Sequence, residues 1–300
     1  MSIPAGKAIK KVGKGHYRLS FLTPIMASIV FSAVFTFLTI NAIYLPTIGF
    51  ISESQGGIAA AAVNAVILSV LPFLGGLIIL AMLRRRRRLL LKVFIGIGFL
   101  LAGFVVFSLI LASALIFLFS GITGELAFVV AIPSSLVLNV VLIYSTLSTR
   151  VPQRAKNAAS LLYGGAIGTL LGTTLPLWTG LLMVMGISIY DIYSVRRGPI
   201  KQIVKVSKEE EEYIPGLSYV SSDWEIGLGD LGIYSMLVSL ALAQFGPETG
   251  PIVCIFSMLG VFTGSLLTLQ LLKKREFLPG LPLTSLIGAI PIVIFMILSL

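Results

Sequence analysis

The chain has 300 residues, 57% hydrophobic and 11% charged, with one cysteine, one histidine and a formal net charge of +10. Soluble domains are about 25% charged. This composition, with a mean hydropathy of +1.03, therefore excludes a water-soluble globular protein and makes lipid the solvent for most of the chain.

A lone Cys254 and a lone His16 exclude a disulfide framework, an internal His/Cys zinc site and a Cys–His dyad on membrane segments. The positive balance fits basic loops facing anionic lipid and cytoplasm, not nucleic acid. A spanning helix needs about 20 mainly apolar residues. On that criterion nine segments follow, at about 19–45, 58–83, 91–119, 126–147, 158–174, 177–195, 226–245, 250–272 and 282–300. The first is too long for a cleaved signal peptide and lacks a small-residue cleavage pattern. Gly164, Gly168 and Gly172 recur every four residues along the fifth, a spacing that lets helix backbones approach closely. Thr174, Leu175 and Pro176 alone separate the fifth from the sixth. The stretch at 196–225 is the one sizeable polar loop, and its four glutamates at 209–212 read as a solvated segment. Asn41, Asn64, Asn139 and Gln244 are candidates for bonds between helices, and Cys254 for helix packing.

Charge placement tests that count. The N-terminal segment carries Lys7, Lys10, Lys11, Lys14 and Arg18, and the second loop Arg84 through Arg88 with Lys92. The fourth loop carries Arg150, Arg154 and Lys156, the sixth Arg196, Arg197, Lys201, Lys205 and Lys208, and the eighth Lys273, Lys274 and Arg275. Together these are all 22 lysines and arginines, while the alternate loops hold Glu53, Glu125 and Glu248. By the positive-inside rule the N-terminus is cytoplasmic and the C-terminus outside.

Of 12 acidic residues, ten lie in loops or at span edges; Asp191 and Asp230 do not. A carboxylate inside a spanning helix costs roughly 2.5–3.5 kcal/mol on insertion scales and marks a functional site by default. No lysine, arginine or histidine lies within a span away from its edge to neutralise either one. Asp191 precedes Arg196 by five residues and Asp230 follows Glu225 by five, which puts both about 7–8 Å inside the same membrane face. Consecutive spans are usually neighbours, so the two carboxyls can meet. Such a pair shares one proton near neutral pH, the state in which one member takes a proton from water and the other polarises a peptide carbonyl. Gly227-Leu228-Gly229-Asp230 brings two glycines where a substrate backbone must come near. Pro279-Gly280-Leu281-Pro282 opens span nine on the same face, and its two prolines are expected to keep the backbone there irregular.

These residues resemble the presenilin and signal peptide peptidase family of GxGD intramembrane aspartyl proteases, which has nine spans, YD in span six, GxGD in span seven and PALP at span nine. Here the motifs read Tyr190-Asp191, Gly227-Leu228-Gly229-Asp230 and Pro279-Gly280-Leu281-Pro282, with Gly280 in place of alanine. Gly198-Pro199, Tyr234-Ser235 and the cytoplasmic N-terminus resemble the presenilin branch. The motifs cover residues 177–300.

The resemblance implies an all-α polytopic membrane protein with a presenilin-like fold. It would form a single membrane domain over 1–300, with a five-helix scaffold (about 19–174) and catalytic helices six to nine (177–300). It also implies a hydrolase that cuts peptide bonds within transmembrane segments, with Asp191 and Asp230 as the catalytic pair. Tyr190, Gly227, Leu228, Gly229, Pro279, Gly280, Leu281 and Pro282 would shape the site or hold substrate. A helical peptide bond must unwind to be cut, and residues 279–282 or the 196–225 loop are expected to accept the freed strand. No metal or cofactor is expected. The partners are transmembrane-helix substrates and the lipid bilayer of the cell membrane, with a homo-oligomer allowed. The main alternative is a proton- or cation-coupled transporter using the same carboxylates, but spans one to five carry no acid away from their edges to form an inverted repeat.

Overall fold

The computed structural model describes residues 22–85, 87–119, 121–148, 150–196, 218–221, 225–272 and 280–298. Among them are nine helices: α1 (Thr23–Ala42), α2 (Glu53–Arg84), α3 (Arg88–Leu118), α4 (Gly124–Leu147), α5 (Gln153–Thr174), α6 (Leu177–Arg196), α7 (Leu228–Gln244), α8 (Gly246–Leu272) and α9 (Leu281–Leu298). Two short strands, β1 (Ser218–Val220) and β2 (Glu225–Gly227), pair antiparallel, Tyr219 opposite Ile226. The N-terminal basic segment, most of the 196–225 loop, Pro279 and the basic cluster at 273–275 lie outside the described residues.

Seven of these helices are long and apolar enough to cross a bilayer. The chain is an integral membrane protein. The other two form the centre of the bundle: α5, 22 residues long, is not apolar enough, and α7 is apolar but one residue too short. Every residue of α7 from Leu231 to Leu242 is buried, and α7 packs most extensively along α5. A helix encased in protein needs no lipid-facing apolar surface. At 17 residues, α7 is about 25 Å long, short of the roughly 30 Å hydrocarbon core. The extended β2 segment leads directly into it, so span seven begins as strand, not as the helix expected from residue 226.

Small residues let α5 and α7 approach. A Cβ on Gly164 would stand 2.8 Å from the Leu231 Cβ, and methyls on Gly168 and Gly172 would overlap Ser235 and Ser239. The glycine ladder therefore faces every fourth residue of α7, as its spacing predicts. Hydroxyls fill the third side of this crossing. Ser28 on α1 pairs with Ser235 at 3.0 Å, Ser32 donates to the Ser235 carbonyl at 3.0 Å, and Thr36 donates to Ser239 at 2.8 Å. Between membrane helices such bonds contribute about 0.6–2 kcal/mol each. The α8–α9 crossing repeats the device: Gly260 and Gly264 lie against the backbone of Ile287 and Thr284, and Ser257 donates to the Gly288 carbonyl at 2.9 Å.

The end of the bundle opposite Asp191 is tied to the α5–α6 corner. The Ile48 N–H donates to the Thr174 carbonyl at 2.7 Å, and Gln244 donates to the Leu175 carbonyl at 3.1 Å. Glu53 accepts the Thr179 N–H at 2.9 Å and its hydroxyl at 2.5 Å. Glu53 thus caps α6, the helix that carries Asp191, from a different helix. Of the other polar candidates, Asn139 bonds the Leu100 carbonyl and Tyr163, while Asn41 bonds within its own helix, to Phe37. Gly57, at φ 53°, breaks α2 just before the predicted start of span two, and Gly246, at φ 74°, makes the tight α7–α8 turn.

Candidate functional site

The two acids that the sequence places within spans arrive from adjoining helices. Asp191 sits one and a half turns before the end of α6, Asp230 in the first turn of α7, and α6, α7 and α9 pack together. The Asp191 side chain is 8% exposed, whereas Asp230 is half-buried. The carboxyls lie within direct electrostatic reach of each other.

α9 completes the arrangement. Its first residue, Leu281, has one of the four N–H groups that a helix cannot bond internally. Gly280 ahead of it has no side chain to cap that group. The Asp191 Oδ2 takes the role, accepting the Leu281 N–H at 3.2 Å. About one turn before Asp191, Ser188 on α6 pairs with Ser285 on α9 at 2.9 Å, and Ser285 also donates to the Leu281 carbonyl at 2.6 Å. These rungs fix α9 against the face of α6 that carries Asp191. From the other side, the Tyr234 hydroxyl donates to the Gly280 carbonyl at 3.0 Å. Gly280 lies between the groups: a Cβ there would stand 3.2 Å from the Asp230 Oδ2 and 3.8 Å from the Tyr234 hydroxyl.

The motif residues divide. Gly227, the last residue of β2, would place a Cβ 3.7 Å from the Asp230 Oδ2, and Gly229 has nothing within 4 Å of where its Cβ would be. Among the described residues, space is thus open beside Gly229, the residue before Asp230. Leu228 packs onto a hydrophobic cluster formed chiefly by α3 and α5. Tyr190 faces α2: its ring meets Phe73 edge-on at 5.6 Å and lines an apolar groove of about 540 Å³ between α2 and α6. Pro282 corrects one expectation. It lies within the first turn of α9, where proline costs nothing because the N–H is unpaired anyway. Of the described motif residues, Gly280 alone is outside the helix. Pro279 lies outside the described residues.

Sequence reasoning missed the contacts of Leu281, Ser188 and Ser285, and gave Tyr234 no part in the site. It also missed the hairpin. Asn157 on α5 mimics a neighbouring strand, donating to the Val220 carbonyl at 2.7 Å and accepting its N–H at 3.1 Å. The α5 side of β1 is thereby occupied, and the outer edge of β2 runs to Asp230. Among the described residues no three potential metal-ligating side chains gather.

No family model matches the chain. Over 126 residues it is 36% identical to Presenilin-B of Dictyostelium discoideum; the match covers 39% of this chain and 25% of that relative's length. Two crystal forms of a presenilin family intramembrane aspartate protease share its fold. One has a TM-score of 0.61 at 17% identity and covers 94% of this chain; the other has 0.62 at 19% and covers 92%. Each match takes in 99% of the solved chain. The all-α, presenilin-like fold expected from the motifs is therefore the fold of this protein, with nine helices among the described residues.

Proposed function

We propose that this chain is an intramembrane aspartyl protease that hydrolyses peptide bonds within transmembrane segments, with Asp191 and Asp230 as its catalytic pair. One observation carries the reading: the carboxyls of Asp191, near the end of α6, and Asp230, at the start of α7, lie within electrostatic reach of each other beside the start of α9, and no lysine, arginine or histidine lies in a span away from its edge. The presenilin-like sequence match and fold support it.

In the reaction, the ionised aspartate takes a proton from a water while the protonated one donates to the scissile carbonyl oxygen. The water oxygen bonds to the carbonyl carbon. The tetrahedral centre then collapses: the C–N bond breaks, the proton held by the first aspartate goes to the leaving nitrogen, and one hydroxyl of the gem-diol returns its proton to the second aspartate as the carbonyl reforms. Residues 177–300 supply the catalytic helices and 19–174 the scaffold. Tyr190, Gly227, Leu228, Gly229, Pro279, Gly280, Leu281 and Pro282 shape the site or hold substrate. The edge of β2 away from β1, unpaired among the described residues, is the place for the unwound substrate to add as a strand, because β2 leads straight into Gly227 and Gly229. The chain sits in the cell membrane with its N-terminus cytoplasmic and its C-terminus outside, since all basic residues fall in alternate loops.

The test is a cleavage assay in liposomes with single-span substrates, comparing the native protein with Asp230→Ala and reading products by mass spectrometry. Cuts inside the substrate's span that vanish in the variant are expected. Their absence with the native protein across a varied substrate set would refute the reading and turn attention to proton flux.

A further inference from the structure

Two hydrogen bonds at the site belong to a single peptide group. The Gly280 carbonyl accepts the Tyr234 hydroxyl at 3.0 Å, and the N–H of the same peptide, on Leu281, donates to the Asp191 Oδ2 at 3.2 Å. A peptide is planar and rigid, so fixing its oxygen fixes the direction of its N–H. An amide whose carbonyl accepts a hydrogen bond is also polarised into a stronger donor. Tyr234 lies four residues beyond Asp230 on α7, on the same helical face, and is 3% exposed. The Thr284 hydroxyl of α9 stands beside its phenol and pairs in turn with Thr268 of α8 at 3.2 Å. The phenol is thus joined through one amide to the carboxylate of another helix.

From this geometry we infer that Tyr234 is a positioning residue: it orients Asp191 through the Gly280–Leu281 peptide and couples the placement of α7, with Asp230, to that of the Asp191 carboxyl. The inference rests on the protease reading above. It also assigns Gly280 a second task, because a peptide lying between Asp230 and the phenol leaves little room for a side chain.

Tyr234→Phe removes the donor and keeps the ring. The comparison variant is Ser28→Ala, which loses a buried hydrogen bond to the neighbouring Ser235 without touching the acids. Each protein is reconstituted with a single-span substrate, and kcat and KM are measured separately. Binding of a peptide isostere with a tetrahedral hydroxyl at the scissile position is measured beside them. Tyr234→Phe is expected to lower kcat about ten- to a hundred-fold and to weaken the isostere comparably, with KM and the melting temperature close to those of Ser28→Ala. Ser28→Ala is expected to keep the native kcat. A Tyr234→Phe protein with native kcat and native isostere affinity would overturn the inference while leaving the protease reading standing. Equal kcat losses in both variants, tracking a loss of thermal stability, would reduce Tyr234 to a packing residue. A native protein that neither cuts substrate nor binds the isostere would overturn both readings.

Discussion

Replacing Gly168 with alanine probes how far the site depends on the closeness of α5 and α7. The added Cβ would stand 2.7 Å from the Met236 backbone nitrogen and closer still to Ser235. Carbon needs roughly 3.5–4.0 Å from such neighbours, and backbone cannot rotate out of the way as a side chain can. The helices must therefore part by about 1 Å. Overpacking of this kind costs about 1–3 kcal/mol, and the better helix propensity of alanine offsets up to about 1 kcal/mol. Because α7 carries Asp230, the same displacement moves one carboxyl relative to the other, and a 1 Å error at a catalytic group costs about 100-fold in rate. Gly98→Ala on α3 supplies the control, since nothing lies within 4 Å of the Cβ it would add. Thermal unfolding in detergent and initial cleavage rates read the two effects. Gly168→Ala is expected to melt a few degrees lower and to lose most turnover, and Gly98→Ala to do neither. A Gly168→Ala protein with native melting and native rate would refute the claim that the glycine ladder sets the position of α7.

Glu53→Ala removes both bonds to Thr179 at the start of α6, and a lost cap of this type is expected to cost about 0.5–2 kcal/mol, read as a lower melting temperature; an unchanged melt would show that Glu53 does not hold α6. Gly280→Ala brings a methyl 3.2 Å from the Asp230 Oδ2, which a small carboxylate rotation relieves, so measurable turnover is expected to survive. Gly280→Val adds further bulk at the same place and is expected to abolish turnover, and a valine variant that cuts at the native rate would contradict the crowding described. For orientation, Glu248→Cys and Arg154→Cys are made in a Cys254→Ser background and labelled in sealed cells with a membrane-impermeant maleimide. Glu248→Cys is expected to label from outside and Arg154→Cys only after the cells are opened; the reverse pattern would invert the assigned topology.

The parts of this fold that depend on composition over long windows were legible in the sequence: the helix count, the membrane solvent and the α5 glycine ladder. Asp191 and Asp230 were legible too, because a carboxylate in a span is conspicuous against 57% hydrophobic residues. The hairpin was not, since strands of three residues are too short for any periodicity to register. The bond from Leu281 to Asp191 was hidden for a different reason. A backbone N–H carries no residue-specific signal, and its partner lies 90 positions away. Two prolines over four residues suggested irregular backbone, yet a helix tolerates proline at its start, so α9 begins at Leu281 and takes Pro282 into its first turn. Tyr234 could have been found by its spacing of four from Asp230, although nothing in the sequence indicates that a carbonyl from α9 would meet it.

The central claim is that the two aspartates act as one unit on a water. It is tested most directly by cleaving a single-span substrate in ¹⁸O-water with the native protein, Asp191→Ala, Asp230→Ala and the double variant. Label is expected in the new C-terminal carboxyl of the native product, with each single variant losing about as much activity as the double, as groups acting jointly do. Substantial cleavage by either single variant, or a product without the label, would contradict it.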